Sequence, residues 1–351
     1  MKKLMLSAAV LMCGAVMFGQ MNTSTVDQVG SGNDSEVIQA GFMNNSDVDQ
    51  TGNGNASEVL QDGVVNDSDV DQIGNDNDFD TDQVGTNNDS DVYQEGDRNL
   101  GGGAFLIWGA RQIGDDNVQS TSSVGDDNNA GTSQEGNRNE STIDQLGNGN
   151  VANSGNFGVR QIGDDNDNLT QQYGNDNFST SFQTGNENHF ITTQTGDNNS
   201  ATSDQDGNRN QGGGPGLIWG IRQDGNMNTA SNVQDGDDND SGTGQYGDGN
   251  DSSITQVGNR NLANGGFFGN YQVGNDNDAV TVQTGDDNDA QNTQLGDDND
   301  ATATQTGDLN FSRTTQDGNS NFNNTSQSGL SHSSIVNQLG NGNSSTVTQS
   351  N

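Results

Sequence analysis

The sequence predicts an all-β chain wound into a flattened two-sheet β-solenoid, with coils of about 22 residues, two repeat units each. Three observations carry this. Glutamine recurs at every eleventh position along nearly the whole chain. Between glutamines, two side-chain chemistries alternate with period 2. Glycine stands two positions after the glutamine in all 27 segments that continue past it. A fixed period marks a repeat architecture, period 2 marks a strand, and glycine marks a turn.

The repeat has to supply what the composition lacks. Of 351 residues only 26% are hydrophobic and 5% aromatic, against 51 Gly and a formal charge of -40. An oily core of that size cannot offset an ordering entropy of ~1–2 kcal/mol per residue. By composition alone such a chain reads as disordered. A metabolic enzyme with a conventional core and a multipass membrane protein are both excluded. Nucleic acid is no expected partner, because 50 acidic residues against 10 basic ones repel a phosphate backbone.

Residues 1–20 stand apart. Met1-Lys2-Lys3 is a short basic start, and Leu4 to Phe18 is mainly apolar. This is the layout of a secretory signal peptide, too short for a membrane span, with cleavage expected near Gly19-Gln20. Met12 before Cys13 argues against a lipid anchor. Beyond the signal, 21–351 is the repeat region. It holds no Cys and no Lys, so no disulfide can staple it, and its only cations besides His are eight Arg.

The repeat anchors are Gln28, Gln39, Gln50, Gln61, Gln72, Gln83, Gln94, Gln112, Gln134, Gln145, Gln161, Gln172, Gln183 and Gln194. They continue as Gln205, Gln223, Gln234, Gln245, Gln256, Gln272, Gln283, Gln294, Gln305, Gln316, Gln327, Gln338 and Gln349. Ser123 is the one substitute, giving 28 segments. Asn stands six positions before the anchor in 23 of the 28. In the unit Asn66-Asp67-Ser68-Asp69-Val70-Asp71-Gln72-Ile73-Gly74, Asn66, Ser68, Val70 and Gln72 share one face and the three Asp share the other. The first set suits a thin dry interior and the second suits water. Gly74, followed by Asn75 and Asp76, is turn chemistry, and Gly63 holds the same place in the preceding unit.

Two units make one coil, with one strand in each facing sheet. Stacking coils sets Gln on Gln and Asn on Asn at ~4.8 Å, giving amyloid-like amide ladders. The ladders satisfy a polar interior that burial would otherwise penalise. Each bond nets only ~1 kcal/mol, so stability depends on many coils acting together. The 28 strands correspond to a stack of roughly 65 Å.

Four insertions interrupt the period, near 100–110, 151–159, 211–221 and 262–270. Anchor spacing lengthens to 18 for the first and third and to 16 for the second and fourth. The third repeats the interval and character of the first, with Trp219 matching Trp108, and the fourth repeats the second, so a block of nine segments is duplicated. Because nine is odd, the first two insertions are expected on one edge of the stack and the last two on the opposite edge. Phe105, Trp108, Phe157, Trp219 and Phe268 are candidate contacts for lateral joining or a partner. The alternative is that Trp108 and Trp219, which fall on the inward phase, plug a locally widened core.

Gln61-x-Gly63-x2-Asn66-x-Ser68-x3-Gln72 and Gln194-x-Gly196-x2-Asn199-x-Ala201-x3-Gln205 resemble the repeat of curlin, the secreted subunit of bacterial curli fibres. The resemblance runs from Asn22 to the C-terminus. It implies export through an outer-membrane channel and self-assembly outside the cell, with other curli-type subunits, into functional amyloid of a biofilm. Relative to the curlin pattern, Asn fills both halves of the unit here, the repeats are more numerous, and the chain is far more acidic. The terminal units Asn22-Ser24-Val26-Gln28 and Asn343-Ser345-Val347-Gln349 keep the full inward set, so open ends are expected to add subunits.

Other chemistries fare worse. Gly-Asp-Asp-Asn occurs six times, as at Gly114-Asp115-Asp116-Asn117, and oxygen-rich turns can hold calcium. No two of the six fall two segments apart, which reads as dispersal of like charge over solvated turns. No acidic pair is singled out for glycoside chemistry, and His189 and His332 read as tolerated substitutions. An ice-binding face would need an outward Thr array, whereas Asp69/Asp71, Ile191/Thr193 and Thr302/Thr304 show none. No enzyme activity, cofactor or metal is expected. The competing reading is a monomeric acidic adhesin or a weak calcium-binding surface protein.

Overall fold

The computed structural model describes residues 21–101, 109–152, 158–213, 220–263 and 268–351. Among these the regular structure is all strand, in two sheets of 17 strands each. Successive segments alternate between the sheets, and each strand pairs in parallel with the one two segments ahead. Ser68, Val70 and Gln72 thus lie beside Ser90, Val92 and Gln94. The first sheet begins with Thr23–Ser31 and the second with Asp34–Phe42; they end with Ser333–Leu339 and Ser344–Ser350. Parallel neighbours normally need a long crossover. Here the strand of the opposite sheet is that crossover, so a coil closes without a helix. The expected flattened two-sheet β-solenoid is the observed fold.

The interior follows the alternation. In Asp67–Asn75, Ser68, Val70 and Gln72 are buried while Asp67 and Asp69 are exposed. Val48, Val59, Val70, Val92 and Ala110 form an apolar seam with Phe79 at the N-terminal end of the stack. Small residues (Ser46, Ser68, Ala201, Ala230) keep the sheets close elsewhere. Phe79 and Phe190 depart from this rule and are wholly buried. A Cβ on Gly101 or Gly109 would strike the Phe79 ring, and one on Gly212 or Gly220 the Phe190 ring. Each large ring therefore occupies the space that glycines of the next coil leave.

The insertions do not enter at the edges, which corrects the expectation. Leu100–Gly101 and Ala110–Asp115 lie in one register line, broken between them. The neighbouring coil pairs Ala130 with Gly101 and Thr132 with Ala110, so Gly131 alone stands where this coil has 102–109. The same holds around Val151–Ala152 and Val159–Ile162. In the other sheet, Gln211–Gly212 and Ile221–Asp224 flank the third insertion, and Leu262–Ala263 and Asn270–Val273 flank the fourth. The two pairs thus open on opposite sheets rather than opposite edges. Spacing between glutamines cannot say where within a unit the extra residues enter. Counting forward from the anchor does say, because Asn99, Asn150, Asn210 and Asn261 all stand five positions after it and all are buried.

Candidate functional site

The feature that carries chemistry is the paired set of amide columns. Gln72 Nε2 donates to Gln94 Oε1 at 2.9 Å and to the Ala56 carbonyl at 2.9 Å, and its Oε1 accepts from Gln50 Nε2 at 2.8 Å. The carbonyl partner fixes which end of the amide is nitrogen. Rungs of this type recur across the insertions, as from Gln83 to Gln112 and from Gln134 to Gln161, both at 2.9 Å. One rung differs: Ser123 Oγ donates to Gln145 Oε1 at 3.0 Å. The anchors from Gln50 to Gln338 are buried, whereas Gln28 is exposed and Gln39 and Gln349 are partly covered.

Asparagine forms a second column of opposite direction. Asn77 backbone N and Nδ2 donate back to Asn55 Oδ1 at 3.1 and 3.2 Å, and Nδ2 also reaches the Gly96 carbonyl at 2.9 Å. Asn66 and Asn199 occupy this column and are buried. Gly63 and Gly74 hold φ of 146° and 124°, where the carbonyl of the next coil leaves no room for a Cβ. His332 replaces Asn in the column, yet its backbone N still donates to Asn310 Oδ1 at 3.0 Å. His189 is outward, with Nδ1 2.9 Å from Asp167 Oδ2.

A third column runs along the turns and was not read from the sequence. Three positions after the anchor, Asp or Asn accepts the backbone N–H of the preceding coil. Asp97 Oδ1 accepts from Asn75 N at 2.9 Å, and Asn137 Oδ1 from Asp115 N at 3.0 Å. The first Asp of Gly-Asp-Asp-Asn is thus a structural acceptor. One position further, the turn residue is left-handed, and Arg there grips Asp of the next coil. The pairs are Arg98–Asp127, Arg138–Asp165, Arg209–Asp238 and Arg260–Asp287. In each, the guanidinium holds the carboxyl below its ordinary range. The signal was available, since all four Arg stand four positions after an anchor. Among the described residues no group of three or more His, Cys, Asp or Glu is set to hold a metal.

The outer faces vary along the stack. Near the N-terminal end of the first sheet, burial and then neighbouring carboxylates push Asp49, Asp69 and Asp71 up. In the second sheet, burial, Asp78 and Glu58 push Asp80 up to about 7 despite a hydrogen bond from the Glu58 N–H. Phe268 lies on the outer side of the first sheet against Gly244, stacked on Tyr271 at 5.8 Å. Tyr246 meets Tyr271 edge-on, and Arg222 lies over Tyr246. Phe105, Trp108, Phe157 and Trp219, and with the two Trp the core-plug alternative, lie outside the described residues. The described core plugs are Phe79 and Phe190, which stand at matching places in the two copies of the duplicated block. The outward triplets compared above mix faces, because Asp69 and Ile191 belong to the first sheet and Thr302 to the second. Within the second sheet alone, Thr302 and Thr304 do continue into an uncharged array.

No curated protein matches the chain. The family model of the curlin associated repeat matches residues 296–322. That stretch contains the strands Asp300–Thr306 and Phe311–Asp317, one in each sheet, hence one coil. The matched coil shares its Gln, Asn and Gly columns with the rest of the stack, and through it the chain is similar to the curlin family.

Proposed function

We propose that the chain is the structural subunit of extracellular curli-like amyloid fibres, built by end-to-end stacking of its coils and serving biofilm matrix and adhesion. The observation that carries this is the amide ladder. Gln, Asn and backbone rungs recur along the described stack, with departures at Ser123 and His332, and the outermost described strands have the same inward residues as the interior ones. A curlin repeat and a β-solenoid point to a structural protein rather than an enzyme. The same reading takes 1–20 as a signal peptide and an outer-membrane channel and other curli-type subunits as partners. The ladder, turn and insertion residues named from the sequence are then assembly residues.

A single coil is unstable, so growth needs a template. Preformed fibres added to fresh monomer are expected to abolish the lag in thioflavin fluorescence. Fibre diffraction is expected at about 4.8 Å and at about 10 Å, the usual strand and sheet spacings. An unchanged lag would count against templated growth. Salt or low pH is expected to shorten the unseeded lag by weakening repulsion among carboxylates.

A further inference from the structure

The second sheet changes character along the stack. In its strands Asp34–Phe42, Ala56–Val64 and Asp78–Thr86, the two central outward columns hold Glu36, Glu58, Asp80 and Asp82 beside Ile38 and Leu60. In its last six strands, from Thr229–Asp235 to Ser344–Ser350, the same two columns hold no charge. Val280/Val282, Thr302/Thr304 and Thr346/Thr348 are typical. After Asp317 the chain has no Asp, Glu, Lys or Arg at all. The fold does not require this, since the same columns of the same sheet accept carboxylates earlier. The first sheet over the same coils keeps Asp289, Arg313 and Asp317 on its outside.

We propose that this uncharged face of the second sheet is a side-to-side contact with the same face of a second copy. The occupant follows from charge and area. Two chains of net charge -40 repel wherever carboxylates face each other, and this face lets them approach without doing so. Six strands at ~4.8 Å, each ~23 Å long, offer roughly 650 Å² per copy, or about 1,300 Å² in all, the size of a specific interface, when the flanking columns that hold Asp235, Asp251, Asp278 and Asp300 are counted with the uncharged central ones. The symmetry follows as well. A two-fold axis along the stack reverses the strands of the facing copy. It sets the column of Asp251, Asp278 and Asp300 against Val257, Thr284 and Thr306 rather than against itself. Val280 and Thr302 then meet Val282 and Thr304. With the axis along the stack, pairing leaves both ends open, so it is compatible with end-to-end growth and does not depend on it.

The test is sedimentation of the full chain over a concentration series. The wild type is expected to be a dimer, and Thr302→Asp/Thr304→Asp to associate at least tenfold more weakly. Asp80 and Asp82 already occupy these two columns, so the fold accepts the change, and far-UV circular dichroism checks it. Thr302→Asn/Thr304→Asn is expected to stay paired, as is Thr293→Asp/Thr315→Asp on the first sheet. In fibres, electron microscopy is expected to give twice the mass per length for the wild type as for the Asp variant, with equal elongation rates on seeds. A wild type that stays monomeric, even one that instead shapes ice crystals, overturns the proposal, as does an Asp variant that pairs like wild type. A chain that pairs but forms no fibres would leave this proposal standing and remove the end-to-end reading.

Discussion

At the scale of the residue, a polar side chain can belong to a core when each of its atoms has a partner. Gln72 is wholly enclosed and uses both its amide donors and its acceptor. Replacing it with Leu keeps the volume but strands the Gln50 amide and the Gln94 carbonyl. Gln72→Leu is expected to cost about 3 kcal/mol, read from a denaturant midpoint, because an unsatisfied buried group costs ~1–3 kcal/mol. The serine column behaves oppositely. Ser46, Ser57 and Ser68 bury hydroxyls that have no hydrogen-bond partner. Ala already fills that column at Ala201 and Ala230. Ser68→Ala is therefore expected to raise stability by about 1 kcal/mol; a loss of similar size would show that the hydroxyl is bonded in solution.

At the scale of the strand and its turn, the glycine after the anchor sets how closely coils approach. A Cβ on Gly74 would collide with the carbonyl of Gly96 in the next coil, at a φ that L residues rarely adopt. Gly74→Ala is expected to cost more than about 2 kcal/mol through strain and lost rungs. Hydrogen exchange should quicken first in Asp67–Asn75 and Asp89–Asp97, while distant coils stay protected. Strand, turn and inward column were all legible in the sequence because each residue of the unit repeats in place. What escaped depends on contacts between units. The Asp and Asn acceptors of the turns look solvated until the preceding coil's N–H is placed beside them. Phe79 looks oversized until Gly101, one coil further on, makes room for it. The uncharged face stays hidden while outward residues from the two sheets are read as one series.

For the whole molecule, charge sets the pH response. Asp80 rises from an ordinary 3.8 to about 7 on folding, and Asp69, Asp71, Asp78 and Asp289 also rise, burial being the first cause in each. A raised carboxyl favours the folded state when protonated. That contribution is complete below the unfolded value and is lost as pH rises through the folded one. The four Arg-held carboxylates act in reverse and lose their smaller, screened contribution only below the ordinary carboxylate range. Stability is thus expected to climb as pH falls from 8 towards 5 and to turn down in stronger acid. Asp80→Asn is expected to raise the thermal midpoint at pH 8 and flatten the climb between pH 8 and 6. A midpoint unchanged at pH 8 would mean Asp80 titrates like an exposed carboxylate.

The opposed directions of the two inner amide columns have an electrical consequence. Peptide dipoles aligned in an α-helix add to a macrodipole of about half a charge at each end. A lone glutamine column would build the same kind of polarisation, since every rung donates towards the C-terminal end. Asparagine rungs donate towards the N-terminal end, and a coil carries both kinds. The two fields oppose each other coil by coil. A stack of this type therefore accumulates less axial polarisation as it lengthens than a glutamine column alone would.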